Sequence, residues 1–340
     1  MLRYPFACSL YCTTRCDQTC KQCLVRSSLH GDADWDATAR NIRQFRQLGG
    51  RYLDLTGGNP LLVPWLPEAI SLADNEGLMT SLTISGSLIT KRLADWSDDW
   101  LRRPKILRIS VDGQPDYHSR LRGLDESFDI RGILKAVRDI RHGRNTQLIF
   151  TAIPGPEGNI NRNQLSFVLS LAREFSILVN VNPAFGVARL SEQEERDLRW
   201  SSKQADMQMS RGKRRFLLKG GNNHSNPTCQ AARAVVTITA DDKVALPCYH
   251  RRIVELPIKG NLRAVYETSL WQETAKKNGR YSFCQGCTIW CYIMPSFILH
   301  WFDRIVVWEH SLSGFQVARD AVLRTCGRHH LHNPYPNFEL

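Results

Sequence analysis

The sequence predicts an α/β fold: a partial (β/α)6 barrel, followed by a small C-terminal unit in which a β-hairpin and a helix carry cysteines. Two observations predict the barrel. Strand-like runs alternate with amphipathic helical stretches six times over about 190 residues. These runs end in short polar or glycine-containing turns, as do the strands at the mouth of a TIM-like barrel. A third observation predicts the smaller unit: five of the eleven cysteines fall between positions 229 and 291, around a hairpin pattern.

The first element, residues 4–13, alternates apolar and small side chains and reads as a strand, with Cys8 and Cys12 as small buried side chains. Over 35–48, Ile42, Phe45 and Leu48 recur at helical spacing, and Gly49-Gly50 ends the helix. A second strand over 52–56, a helix over 66–75 and a third strand over 81–87 come next. A fourth strand over 105–112 runs into Gly113, and a helix over 128–141 gathers Ile130, Ile133, Leu134, Val137 and Ile140 on one face. The fifth strand, 147–153, stops at Pro154-Gly155-Pro156; a helix over 164–175 then leads to the sixth strand, 177–182, and an exit turn over 183–186. Ser191 caps a helix with an acidic first turn. Two strands, 235–239 and 241–248, meet at Asp241-Asp242. Ile298, Trp301, Phe302, Ile305 and Val306 predict a last helix over 297–310, packed over the barrel opening in preference to a membrane surface. The expected domains are a core over 1–200, a basic linker over 201–227, an auxiliary unit over 228–296, and a C-terminal helix and tail over 297–340.

Composition narrows the function classes. The 340 residues are 42% hydrophobic and 23% charged, ordinary for a soluble globular chain. No apolar run approaches the ~20 residues that span a bilayer, and the N-terminus lacks a signal-peptide pattern. Cysteines in such a chain read as metal ligands and thiols in a reducing, cytoplasmic setting, not as disulfides. The net charge of +12 gathers at 138–144 and 211–215. These clusters read as a solvated helix face and a mobile linker; without aromatic interleaving, nucleic acid is not favoured.

The chemistry is concentrated at Cys16, Cys20 and Cys23, spaced C-x3-C-x2-C. A short loop of this spacing can hand a thiolate to three irons of a four-iron cube and leave the fourth open. A zinc site or a disulfide cluster is the alternative, but no second paired knuckle lies nearby. With the motifs downstream, the loop resembles that of the radical S-adenosylmethionine (SAM) superfamily. The resemblance implies a [4Fe-4S] cluster whose free iron chelates SAM. It further implies reductive cleavage to a 5′-deoxyadenosyl radical, hydrogen-atom abstraction from a substrate, and a reductant such as flavodoxin or ferredoxin.

Further motifs extend the resemblance. Gly57-Gly58-Asn59-Pro60 looks like the GGEP turn assigned to the amino group of SAM, with Asn59 in place of the usual Glu. Ser85 ends the third strand where relatives often read Thr-Asn-Gly, and Ser110 inherits the ribose contact of the fourth strand. His118-x3-Arg122-Gly123 resembles the signature of the subgroup with extra clusters. Asp112 and His118 are the candidate catalytic residues at the barrel mouth; the alternatives are a tight turn and a histidine that satisfies a loop carbonyl. Asn180 and Asn182 are further candidates for the substrate surface.

Cys229, Cys248, Cys284, Cys287 and Cys291 are ordered as in the SPASM/twitch auxiliary domain. Five are too few for two ligated clusters, so the resemblance implies one auxiliary [4Fe-4S] cluster on Cys229, Cys248, Cys284 and Cys287, with Cys291 as a substitute ligand. A structural zinc on four of these thiolates is the alternative. The expected function is a radical SAM enzyme acting on a small-molecule or cofactor-precursor substrate. A peptide-modifying maturase is the runner-up, and a non-enzymatic iron–sulfur or zinc protein the reading from another class.

Overall fold

A computed structural model describes residues 4–20, 23, 25, 31–124, 128–141, 146–152, 162–183, 192–204, 206–209 and 211–299. Six parallel strands form the barrel wall: β1 (Ala7–Thr13), β2 (Tyr52–Gly57), β3 (Met79–Ile84), β4 (Ile106–Ser110), β5 (Thr146–Ala152) and β6 (Leu178–Pro183). Each pairs with its sequence neighbour in parallel register. The helices between them are α1 (Trp35–Gln47), α2 (Leu66–Asn75), α3 (Ile89–Asp95), α4 (Asp99–Arg102), α5 (Pro115–Arg122), α6 (Ile130–Arg141) and α7 (Arg162–Phe175). The alternation expected from the sequence is therefore present, and the short helices α3, α4 and α5 add to it. The predicted turn at 154–156 and the cap at Ser191 lie outside the described residues.

Helix α1 shows why these elements form. The Asp34 carboxylate accepts from the Ala37 N–H at 2.8 Å, satisfying one of the unpaired donors of the first turn. Ile42 and Phe45 are buried on its inner face. Phe45 also fills the space beside Gly50, where an added Cβ would lie 2.5 Å from its ring. The glycine that ends the helix is thereby also a packing requirement.

The rest of the chain continues this sheet. After α8 (Glu192–Ser201), α9 (Arg211–Leu218) and α10 (Ala231–Ala234) come β7 (Val235–Ile238), β8 (Lys243–Leu246) and β9 (Val254–Pro257). Strand β7 pairs in parallel with β1, and β8 and β9 add antiparallel strands, so the order is β6-β5-β4-β3-β2-β1-β7-β8-β9. The expected hairpin is thus an extension of the barrel sheet, and β9 was not anticipated. Helices α11 (Leu262–Glu267), α12 (Ser269–Lys276) and α13 (Trp290–Leu299) complete the described chain.

Two expectations need correction. The stretch read as a mobile basic linker holds α9, in which Lys213 is fully buried and Phe216 packs on Trp290 and Phe297. Apolar residues at 216–218 among the arginines give the helix a side to bury. The last helix begins at Trp290, seven residues before its expected start, and the chain beyond Leu299 lies outside the described residues.

Along β2, β4, β5 and β6, alternate residues point into the barrel: Tyr52, Asp54 and Thr56; Ile106 and Arg108; Gln147 and Ile149; Asn180 and Asn182. Much of that interior set is polar. Replacing Phe45 by Ala is expected to cost about 3–5 kcal/mol by the cavity it leaves. Urea unfolding should show this as a lower midpoint at an unchanged slope.

Candidate functional site

Strand β1 delivers the cysteine loop at its C-terminal end. Cys20 is buried, Cys23 half-buried and Cys16 exposed. The loop is held from several sides. Arg15 and the Thr13 hydroxyl both bond to Asp32, the hydroxyl at 2.6 Å. The Thr19 N–H donates to the Arg122 carbonyl at 2.8 Å, and the Gly58 and Asn59 N–H groups donate to the Thr13 and Arg15 carbonyls at 2.8 and 2.9 Å.

The glycine pair fits tightly against this loop. A Cβ on Gly57, whose φ is +140°, would lie 2.3 Å from the Thr13 carbonyl oxygen, and one on Gly58 would lie 1.9 Å from that of Arg15. Gly123 packs on the other side, where a Cβ would meet the Thr19 hydroxyl at 1.8 Å. Close approach is thus required first by the loop's own backbone.

Asn59 is fully buried at this junction. Its amide nitrogen donates to Asp17 at 2.7 Å and to the Ser85 hydroxyl at 2.8 Å, and its oxygen accepts from the Leu61 N–H at 3.3 Å. Ser85 is 2.8 Å from Ser87, which closes the ring by bonding Asp17. A glutamate at position 59 would set two carboxylates against each other; Asn59 instead donates to one. Pro60 is buried behind it, and Ser110 is half-buried at the end of β4.

The two candidate catalytic residues take other positions than the sequence suggested. Asp112 is 1% exposed and accepts from Arg122 Nε at 2.6 Å. Arg122 also donates to Gln18 at 3.1 Å and lies 4.0 Å from Cys20 Sγ. His118 has no exposed surface: its Nδ1 accepts the Asp112 N–H at 3.1 Å and its ring stacks on Phe128 at 4.2 Å. Burial, with Arg122 nearby, draws its pKa down to about 3 and keeps it neutral. Neither side chain lines the barrel cavity; both brace the turn that supports the cysteine loop.

The cavity, about 340 Å³, fills the barrel interior. Cys20, Cys23, Gly57 and Arg122 line its mouth, Asn180 and Asn182 its wall, and Trp290, Cys291, Met294 and Pro295 of α13 its open side. An ion pair not foreseen from the sequence crosses it: Arg108 Nη1 donates to Asp54 at 3.1 Å and to Ser81 at 2.9 Å, and Nη2 donates to Tyr52 at 3.0 Å. Burial raises the Asp54 pKa, and Arg108 opposes that shift. Lys213 is likewise unanticipated. Burial brings its pKa down to about 7, and its ammonium lies 5.0 Å from the Trp290 ring centre. The signal for the ion pair was present in the strand parity, which puts a charge on the inward face at 54 and again at 108.

The second cysteine set surrounds a smaller cavity lined by Cys229, Cys248, Cys284 and Cys287, with Arg251 alongside. Asn222, fully buried and within the expected linker, ties three of these segments together. It accepts from the Cys229 N–H at 3.0 Å, donates to the carbonyls of Gly279 and Cys284 at 3.0 and 3.2 Å, and its own N–H donates to the Cys287 carbonyl at 2.9 Å. Cys291 lines the large cavity and is absent from this one. Among the described residues no three His, Cys, Asp or Glu side chains are drawn close enough to hold a single metal ion. The donor sets, three thiols on one loop and four around one cavity, suit iron–sulfur clusters, which spread their ligands around a larger body.

No family model matches the chain. It is 26% identical over 148 residues to an S-adenosylmethionine-dependent nucleotide dehydratase from a Thermoplasmatales archaeon, covering 42% of this chain and 49% of that protein. It is 29% identical over 130 residues to an AdoMet-dependent heme synthase from Nitratidesulfovibrio vulgaris, covering 36% of this chain and 34% of the relative. The matches thus span about half and about a third of those relatives. Among solved structures, Streptococcus suis SuiB bound to S-adenosylmethionine superposes with a TM-score of 0.60 at 15% identity, over 88% of this chain and 73% of SuiB. anSMEcpe with bound AdoMet and the Cp18Cys peptide gives 0.59 at 14% identity, over 85% and 88% of the two chains. The fold is that of the radical SAM enzymes. The cysteine loop and the AdoMet-dependent relatives agree with the resemblance to the radical SAM superfamily read from the sequence.

Gly58→Ala should push the Arg15 carbonyl aside and unseat the loop. The anaerobically reconstituted variant is expected to hold less iron than the parent, because the loop's three thiols no longer converge. Retention of the parental iron content would contradict the tight fit.

Proposed function

We propose that this chain is a radical SAM enzyme acting on a small molecule held inside the barrel. The observation that carries the reading is the opening of Cys20 and Cys23 onto the same cavity of about 340 Å³ that the polar strand residues line. That volume lies within the range of small-ligand sites, roughly 300–1,000 Å³. In this reading Cys16, Cys20 and Cys23 hold one [4Fe-4S] cluster, and Cys229, Cys248, Cys284 and Cys287 hold a second. Bound SAM and the first cluster supply a 5′-deoxyadenosyl radical, and the second cluster supplies electron transfer.

The protein's own residues do the positioning. Burial raises the Cys20 thiol's pKa, and the Arg122 charge beside it opposes that shift, toward the thiolate that ligation requires. Asp17, fixed by Asn59 and Ser87, provides the carboxylate that the glycine turn lacks and accepts from the amino group of SAM. Ser85 and Ser110 stand at neighbouring strand ends for the remaining polar groups of the cofactor. Helix α13 closes the open side of the barrel with Trp290 and Met294, which keeps water from a reactive centre. Cys291 faces the cavity and is left out of the second ligand set.

SuiB and anSMEcpe have been crystallised with peptides, which supports a peptide as the second reading. The relatives named as a nucleotide dehydratase and a heme synthase, and the volume of the cavity, support the first.

Anaerobic reconstitution with dithionite and SAM is expected to yield 5′-deoxyadenosine, and Cys16→Ala to abolish it. Cys229→Ala should keep SAM cleavage while losing the second cluster's spectroscopic signal. A fully loaded protein that leaves SAM intact would remove the enzyme reading. Asp17→Asn should weaken SAM binding, measured by calorimetry, by about tenfold, as expected for losing a charged acceptor. The exchange Asp17→Asn with Asn59→Glu should restore much of it, since the carboxylate and the amide trade places across one 2.7 Å hydrogen bond.

A further inference from the structure

We propose that the β4–β6 wall of the cavity is an oxyanion subsite, which makes the substrate a small molecule bearing a carboxylate or phosphate. This deepens the reading that the cavity receives the substrate. Lys213 is the starting point. Its Nζ donates to Asn180 Oδ1 at 2.7 Å, to the Val181 carbonyl at 2.8 Å and to Asn182 Oδ1 at 3.5 Å. An ammonium can only donate, so it fixes the orientation of both amides, with oxygens toward the lysine and nitrogens away. Asn180 and Asn182 are two apart on β6, so both face the interior, and both line the cavity. Among the described residues neither amide nitrogen donates to a protein acceptor. Lys213 thus turns two otherwise ambivalent side chains into donors.

Arg108 adds to the same wall. Its three bonds go to Asp54, Ser81 and Tyr52, which leaves Nε–H and one Nη2–H without an acceptor among the described residues. In the sheet register Arg108 stands beside Gln147, and Ile149 beside Asn180. With strands about 4.8 Å apart and residues about 3.3 Å apart along each, Arg108 and Asn180 stand roughly 12 Å apart at the backbone, a span that the long Arg108 side chain and one small molecule cover together. Asp54 neutralises Arg108, so Lys213 in its protonated form supplies the wall's remaining positive charge behind a row of N–H donors, and an anion bound there favours that form. A ligand that supplies only oxygens and a negative charge satisfies that wall; a neutral or cationic one does not.

The test is calorimetric titration of the anaerobically reconstituted protein with glutarate, inorganic phosphate and, as the neutral isostere, glutaramide, each with and without SAM. Glutarate or phosphate is expected to bind, and the anion that binds identifies the kind of group; glutaramide is expected not to. Asn182→Asp, nearly isosteric, reverses a donor into a negative acceptor and should weaken the anion about tenfold or more; Asn180→Asp should do the same. Lys213→Met should abolish binding, and if it fails to fold the two aspartate variants decide the matter. The proposal is overturned if neither anion binds, if glutaramide binds as well, or if Asn182→Asp with an unchanged melting temperature binds the anion normally. Displacement of the anion by SAM overturns it too, since the wall would then belong to the cofactor. None of these readouts needs SAM cleavage, so their failure is separable from failure of the enzyme reading.

Discussion

The close backbone contact between the end of β1 and the glycine pair after β2 governs the site. Two N–H groups, of Gly58 and Asn59, reach the carbonyls of Thr13 and Arg15, and no side chain separates them. That contact sets the position of three cysteines, the ring of Asp17, Asn59, Ser85 and Ser87, and the mouth of the cavity. Gly123 and the Thr19–Arg122 bond repeat the device from the far side of the loop. The fold holds a short loop without regular structure by clamping it between two glycine turns.

Much of this was legible in the sequence. Six β/α alternations are a periodic signal, and the ligand spacing of Cys16, Cys20 and Cys23 survives any uncertainty about where a strand stops. The four cysteines around the smaller cavity were likewise legible as a set. What failed were statements about which way a side chain faces. His118 lies in a motif that suggests chemistry, yet its Nδ1 is taken by a backbone N–H and its ring face by Phe128. Lys213 and Asn222 lay in a stretch whose composition reads as solvated, because the burial of a single lysine or asparagine leaves almost no trace in local charge. Most of the partners that reveal the role of Asn222 lie more than fifty positions away.

The interior ion pair is informative for a thermodynamic reason. Taking Asp54 and Arg108 out of water costs several kcal/mol per ion, and a well-packed apolar pair of similar size would often serve stability as well or better. Barrel interiors of this kind are commonly filled with branched aliphatic side chains. Here Tyr52, Ser81 and Thr83 are added to satisfy the charges. A polar core tied down by this many hydrogen bonds has a defined shape, and a defined shape is what a ligand pocket needs.

Extending the sheet past β1 also explains how an unclosed barrel avoids sticking to its neighbours. Were the sheet to stop at β1, a long, flat, hydrophobic strand would offer its free backbone groups to any other chain. Strands β7, β8 and β9 carry that rim outward to a segment of four residues. Its terminal Pro257 has no N–H to give, and Glu255 forms ion pairs beside it with Lys243 and Arg252. At the opposite rim, Val179 bridges to Met207, which blunts β6. Among the described residues, both rims of the sheet are thus blunted by a few side chains and bridges that belong to neither cysteine loop.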